Sequence, residues 1–516
     1  MKLDSFLKER RTYLALSVLV LAYVIIGLCL ISACDIIPGW GDPIDYIEGA
    51  RNLTAYDSPF HPPFYSAVIA GVDLAVSNTF LSAKLVSFLS GIAVVILTFL
   101  LGRVCFRSDG VALLASALVV FSPLMLRHSY SVGSDMLGAG LFFGCLYVLS
   151  VAVKGSIKLI IVAGLLAALA YLTRYVFISL VPATMLFLLI FPSVRLRRRL
   201  LYAAVFLAGF VIVAAPWCII CLARHGDLHN WNYINIAFAV FDTTDSWLWF
   251  DTYVEKYPSL LVLLTSHPGE VGRHLAVNIL HFPVEILARH GLLAGIMAVF
   301  GVFTMLRRPS TERMALILNG VALLGLIMLA WLKPRFFVPV LPVVMLFAAH
   351  FMVNGLAPTL AEYWPERASG QRLAKAIPLR SMAITLSVLT ALILTVFRVP
   401  SDLAGVNVDD EKRAGLYLRE NTPAGTLILT CSKNLAWYAE RPFVSMTELR
   451  DVSPAFLQHK AQATDAKVLV YTERHSVFTH PQLRFLLNPE DSLIPPNFSL
   501  IYHDDGPWQV VAYRLE

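Results

Sequence analysis

Three carboxylates, Asp42, Asp45 and Glu48, fall in one short window just after the first long apolar run. A carboxylate held at a membrane face can take a proton from a hydroxyl within hydrogen-bond reach. Asp42 also precedes Pro43, the pattern of a helix N-cap with proline at the first helical position. A cap and a base are therefore both open readings of Asp42. Further along, Arg174 lies between two short apolar runs, and Lys333 and Arg335 share one tight turn. Lipid headgroup phosphates are one partner for such cations. A phosphate-bearing lipid substrate is the other, because the arginine fork binds phosphate oxygens in pairs. Together these groups suit transfer from a lipid phosphate to a hydroxyl. Cations neutralise charge on the leaving phosphate and a carboxylate deprotonates the acceptor. Attack on a sugar carbon from the face opposite the phosphate would invert its configuration.

These residues must be placed by membrane elements. Of 516 residues, 57% are hydrophobic and 15% charged, against roughly 25% charged in soluble domains. The net charge of +6 comes from basic clusters between apolar runs. That is topology information and not a nucleic-acid signal. Candidate spans are 13–33, 83–104, 111–126, 136–153, 159–172, 176–191, 200–222, 292–306, 314–332, 336–353 and 382–397, about eleven in all. The segment 62–76 opens on Pro62-Pro63 and reads as re-entrant, interfacial or a twelfth span. The run 13–33 is long enough to span and lacks a small-x-small cleavage site, predicting a retained anchor. Cys218 and Cys221 form a C-x-x-C pair inside an apolar run, without further ligands nearby, and read as core residues.

Lys/Arg asymmetry places the N-terminus in the cytoplasm, together with Lys8, Arg10, Arg11, Lys154, Lys158, Arg195, Arg197–Arg199, Arg307 and Arg308. The opposite side then receives Asp42, His61, Arg127, Asp135, Arg174, Lys333, Arg335 and the tail. No candidate span carries a charged residue near its centre, and no inverted repeat is evident. Ion-coupled carriers usually need such a charged residue, and either feature would favour a transporter. In the window 42–52, Ile44, Ile47 and Ala50 recur at helical spacing. This predicts a short helix lying on the bilayer surface. The long loop 223–289 holds Trp231, Tyr233, Trp247, Trp249, Phe250 and Tyr253, either an interfacial belt or a sugar-binding wall. Its stretch 269–289 reads as amphipathic.

The predicted architecture is a polytopic α-helical membrane protein with 11–13 spans and a small external α/β domain. Residues 1–397 form the membrane domain, with external loops 35–82 and 223–289, and 398–516 form the tail domain. In the tail, 409–421 and 455–463 read as helices, and 426–431, 467–472, 498–502 and 509–514 as strands. The tail shows no glycine-rich phosphate loop and no metal-ligand cluster, and reads as covering or selecting the acceptor.

The spacing Asp42, Tyr46, Ala50, then Phe60-His61-Pro62-Pro63-Phe64-Tyr65, resembles the first external loop of GT-C membrane glycosyltransferases. So do Leu172-Thr173-Arg174-Tyr175, Ala215-Pro216-Trp217, Pro334-Arg335-Phe336-Phe337-Val338-Pro339 and, in the tail, Ala436-Trp437-Tyr438-Ala439-Glu440-Arg441. In order and spacing the chain is similar to glycosyltransferase family 39: protein O-mannosyltransferases, lipid A aminoarabinose transferases and lipopolysaccharide-core transferases. The resemblance implies a polyprenyl-phosphate sugar donor, inversion, and Asp42 as general base. His61, Arg174, Lys333, Arg335 and Tyr46 would then serve the donor phosphate and sugar, with Asp135 and Asp45 as a second acidic site. A divalent metal on Asp42 and Asp135 is the cofactor the resemblance allows. The acceptor would be a glycan, lipid or protein, and the location the bacterial inner membrane. Two departures matter. Pro43 stands where protein mannosyltransferases have Glu, and His61 where the aminoarabinose transferases have Lys. The alternatives weighed are a transporter or flippase for a lipid-linked glycan, and a non-catalytic envelope assembly protein.

Overall fold

The computed structural model describes residues 2–34, 42–228, 230–241, 250–290, 292–307, 309–356, 382, 384–399, 409–446, 459, 462–474, 476 and 480–515. Contacts divide the chain into two units. The first comprises Met1–Cys34, Gly49–Ile236 and His267–Asp402, and the second Asp35–Glu48, Ala237–Ser266 and Leu403–Glu516.

In the first unit, five helices among the described residues are long and apolar enough to cross a bilayer. These are Glu9–Ala33, Thr79–Phe106, Asp135–Ala152, Leu196–His225 and Thr311–Met328. A bent pair, Asp109–Val120 and Pro123–Tyr130, makes a sixth if counted as one span. Shorter apolar helices are Phe64–Val76, Ile157–Thr173, Tyr175–Ile190, Ala294–Arg307, Leu341–Gly355 and Ile384–Val399. All eleven candidate spans fall on one of these elements. The labels used below are α1 (Lys2–Ala33), α2 (Asp42–Arg51), α3 (Phe64–Val76), α4 (Thr79–Phe106), α5 (Asp109–Val120), α6 (Pro123–Tyr130), α7 (Asp135–Ala152), α8 (Ile157–Thr173), α9 (Leu180–Ile190) and α10 (Leu196–His225).

Apolar side chains left uncovered say what surrounds this unit. Leu14, Val18, Leu21, Ile25 and Leu28 are exposed along α1, and Val211, Ile212 and Ile219 along α10. Faces of that length and composition want hydrocarbon. Inside, α4 packs on α1, α3, α5 and α7, and α8 lies between α7 and α10. The α8–α10 approach needs glycine: a Cβ on Gly209 would stand 2.6 Å from the Ile161 carbonyl oxygen. Small residues at such crossings let helix backbones approach closely.

One expected span is broken. The run 111–126 is not continuous, because α5 ends at Val120 and α6 leaves it at 60°. The cause is local. Pro123 cannot continue a helix through its missing N–H and its ring. Ser122 instead caps a new helix, its hydroxyl accepting from Met125 N at 3.4 Å. The Phe121 carbonyl freed by the break receives the Thr395 hydroxyl at 2.6 Å. The break points the Arg127-His128 pair of α6 along a new direction.

The second unit contains a five-stranded sheet of order β2-β1-β3-β5-β4, with β1 Ile428–Thr430, β2 Phe443–Ser445, β3 Val468–Thr472, β4 Phe498–Asp504 and β5 Val510–Leu515. The first three strands in that order pair in parallel and the rest antiparallel. Every residue of β3 is buried, as expected of a strand covered on both faces. One cover is the helix Asp409–Asn421, which brings Ala414 and Leu418 onto Ile428, Val468 and Val470. The opposite face packs Leu429, Leu469 and Tyr471 with Leu483, Leu486 and Phe498. The expected helix 409–421 and four strands are present. The edge strand β2 and the helix Lys433–Ala439 were not anticipated. Most of the expected helix 455–463 lies outside the described residues, as do Trp247 and Trp249.

Candidate active site

In the first unit, one end of the helix bundle gathers charge. Asp135 opens α7 and is buried. Arg174 follows α8 with extended backbone, φ −152° and ψ 125°, so its side chain leaves the helix end. The Arg174 Nη1 donates to Asp135 Oδ1. His128 Nδ1 stands 3.7 Å from the other carboxylate oxygen. The Phe336 ring has Arg174 Cζ at 5.6 Å and Arg335 Cζ at 5.3 Å, so it carries two guanidiniums. Arg127, Arg174, Arg335 and Asp135 all act electrostatically on His128. Three guanidiniums and one carboxylate thus lie within electrostatic reach of one imidazole. An excess of positive charge at a helix-bundle end is suited to a phosphate.

Tyr65 holds the turn that presents Asp135. It is fully buried, and its hydroxyl accepts from Gly133 N at 2.9 Å. The same hydroxyl lies 3.0 Å from Ser87 Oγ and 3.2 Å from the Ala83 carbonyl. This gives the Pro62-Pro63-Phe64-Tyr65 step a physical role: Pro63 starts α3, and Tyr65 reaches from it into the α4–α7 junction.

The loop before that step is tied down by its backbone. Arg224 donates to the Tyr56 and Thr54 carbonyls at 3.0 and 3.2 Å. Asn232 Nδ2 donates to the Phe60 carbonyl at 2.9 Å and Trp231 N to that of Pro59 at 3.1 Å. The His61 carbonyl accepts from the Tyr56 hydroxyl at 2.9 Å, and its N–H donates to Ser58 Oγ at 3.1 Å. His61 is therefore held by its main chain. Lys333 is exposed and lies over Trp331 at 4.5 Å.

The carboxylate window belongs to the second unit. It forms the first turns of α2, which begins at Asp42. Ile44, Ile47 and Ala50 do share a face, but that face is covered by protein, with Ile47 fully buried and Tyr46 buried beside it. The expectation of a helix resting its apolar side on the bilayer is corrected accordingly. Asp42 is half-buried and Glu48 exposed. Asp45 is engaged: Lys433 Nζ donates to its Oδ1 at 2.8 Å.

Among the described residues no three His, Cys, Asp or Glu side chains gather as ligands. Asp135, one of the two expected ligands, already binds Arg174. The structure thus brings together Asp135, Arg174 and Arg335 of the expected site residues, and adds His128, Phe336 and Tyr65. Of these Tyr65 and Phe336 carried a sequence signal, each inside a motif of the resemblance, and His128 carried none.

Comparison with known folds is decisive for the architecture. ArnT from Cupriavidus metallidurans, solved bound to undecaprenyl phosphate, superposes with a TM-score of 0.60, covering 96% of this chain and 97% of that one at 14% identity. This chain has the GT-C fold. The Archaeoglobus fulgidus oligosaccharyltransferase in its apo form matches this GT-C chain with a TM-score of 0.62 and 13% identity, over 91% of this chain and 70% of that one. AglB from the same organism, solved with an inhibitory peptide and a dolichol-phosphate, matches with a TM-score of 0.57 and 14% identity, over 89% and 69%. Residues 60–220 match the family described as dolichyl-phosphate-mannose-protein mannosyltransferase. That segment includes His61, Tyr65, His128, Asp135 and Arg174. No curated protein sequence gives a significant match.

Proposed function

We propose that the protein transfers a sugar from a polyprenyl-phosphate donor to a hydroxyl acceptor at the external face of the bacterial inner membrane, with inversion. Arg174 and Arg335, flanking Phe336 beside Asp135, are the observation that carries this reading. They form the phosphate end of the donor site. The acceptor oxygen attacks the anomeric carbon opposite the phosphate while Asp42 takes the hydroxyl proton. The carbon–oxygen bond to phosphate breaks, and the polyprenyl phosphate leaves with one more negative charge. Fixed guanidiniums favour that charge more than the ground state's, which is what lowers a barrier. Support comes from two solved GT-C neighbours whose ligands are undecaprenyl phosphate and a dolichol-phosphate. The acceptor is an envelope lipid, glycan or protein, selected by the tail domain.

Mass spectrometry of envelope lipids, glycans and secreted proteins, with and without the gene, names the transferred mass and its recipient. Re-expression of Asp42→Asn should leave that product absent while undecaprenyl phosphate still binds the purified protein. Product at the wild-type level would move the base elsewhere. Arg335→Ala should weaken undecaprenyl phosphate binding, and unchanged binding would move the phosphate to another cation.

A further inference from the structure

The second unit contains an ion pair joining positions 388 residues apart. Asp45 lies one helical turn after Asp42, so the two carboxylates share a face of α2. Lys433 grips Asp45 from the tail domain at 2.8 Å, and both side chains are partly exposed, 40% and 29%. A pair that open to solvent contributes little to stability. Its geometry, however, is firmly built. Lys433 is the first residue of the helix Lys433–Ala439, whose cap Ser432 accepts from Leu435 N at 3.1 Å. Ser432 N in turn donates to Thr430 Oγ1 at 3.1 Å, at the end of β1. Leu435 and Ala436 are buried on the sheet. β1 lies between β2 and β3 in the parallel half, and the chain leaves it toward β2 before returning on its other side as β3. Lys433 therefore stands just past the carboxyl end of a strand at a topological switch point, where α/β sheets place functional groups.

We propose that Lys433 is a positioning residue for the transfer step. By holding Asp45 it fixes the first turn of α2 and with it the direction of Asp42, so the tail domain acts on the chemistry as well as on the acceptor. This rests on the reading of Asp42 as the base. A carboxylate misplaced by about an ångström loses rate far out of proportion to the energy of the lost contact.

The test uses full-length protein re-expressed in the gene-deleted strain, with the deletion-sensitive envelope product measured over time. Undecaprenyl phosphate binding and thermal unfolding are measured on the purified protein. Lys433→Met and Asp45→Asn should each slow product formation on the order of tenfold, with undecaprenyl phosphate affinity and unfolding midpoint unchanged. Lys433→Arg should recover most of the rate, and so should the exchange pairing Lys433→Asp with Asp45→Lys. Wild-type rates in Lys433→Met, with Asp42→Asn inactive, would overturn the proposal and leave the base assignment standing. An active Asp42→Asn would remove the base assignment itself, and this proposal with it. A rate loss that follows a falling midpoint, with no recovery in the exchange, would reduce Lys433 to a structural contact and also overturn the proposal.

Discussion

The Arg174–Asp135 pair ties stability to the proposed donor site. Its carboxylate is 8% exposed and its guanidinium 20%, so each charge depends on the other for solvation. Removing one partner of such a pair costs about 3–5 kcal/mol, because the survivor is left buried and uncompensated. Arg174→Ala should therefore lower the unfolding midpoint of the detergent-solubilised protein as well as abolish product formation. Adding Asp135→Asn to it should recover much of the midpoint, since no naked charge remains, yet none of the activity. An Arg174→Ala protein as stable as wild type would mean that the pair is solvated and the cation free of a structural role. His128, 3.7 Å from the same carboxylate, gave no signal in the sequence. A histidine beside an arginine at the end of an apolar run is ordinary. Only the fold reveals that three guanidiniums lie within electrostatic reach of it.

At the level of elements, the break between α5 and α6 aims Arg127 and His128, and a distant hydroxyl satisfies it. Thr395 gives its hydroxyl to the Phe121 carbonyl at 2.6 Å. Thr395→Val keeps the shape and leaves that carbonyl unbonded. It should cost about 1–3 kcal/mol in unfolding and reduce product formation by loosening α6. Unchanged stability and rate would mean that Ser122-Pro123 sets the bend alone. The spans were legible because about 20 apolar residues are needed to cross hydrocarbon and composition records that need directly. The face Ile44–Ile47–Ala50 was legible through its period, but not what covers it, since a period reads alike whether lipid or protein lies opposite. The break was hidden because Ser122-Pro123 interrupts an apolar run without changing its hydropathy. The cations Arg174 and Arg335 stood out as exceptions to the charge asymmetry. Their shared ring, Phe336, was one residue of the motif Pro334-Arg335-Phe336-Phe337, and nothing local told that both cations would meet it. β2, three residues long, is too short for alternation to declare itself. The Lys433–Asp45 contact joins two stretches that no local pattern links.

Across the whole molecule, charge divides between the two ends of the membrane helices. At the end opposite Asp135, Arg103 binds Asp109 at 3.0 Å with Glu9 at 3.9 Å, Lys154 faces Glu312 at 3.9 Å, and Arg198 donates to the Gly155 carbonyl at 3.2 Å. Arg107, Arg195, Arg197, Arg199 and Arg307 belong to the same end by chain order. That crowding of short connections with Lys and Arg is what holds a membrane end in the cytoplasm. The guanidiniums at the other end run against this rule, and the proposed donor phosphate would compensate their charge there. The orientation that follows has a direct test. In intact cells, a membrane-impermeant maleimide should label a cysteine placed at exposed Asp505 in the tail and spare one placed at exposed Arg107, which should react only after the membrane is opened. The reverse pattern would put the Arg174–Asp135 end in the cytoplasm. The charge excess there would then need no phosphate to explain it, and a donor presented from the outer leaflet could not reach it.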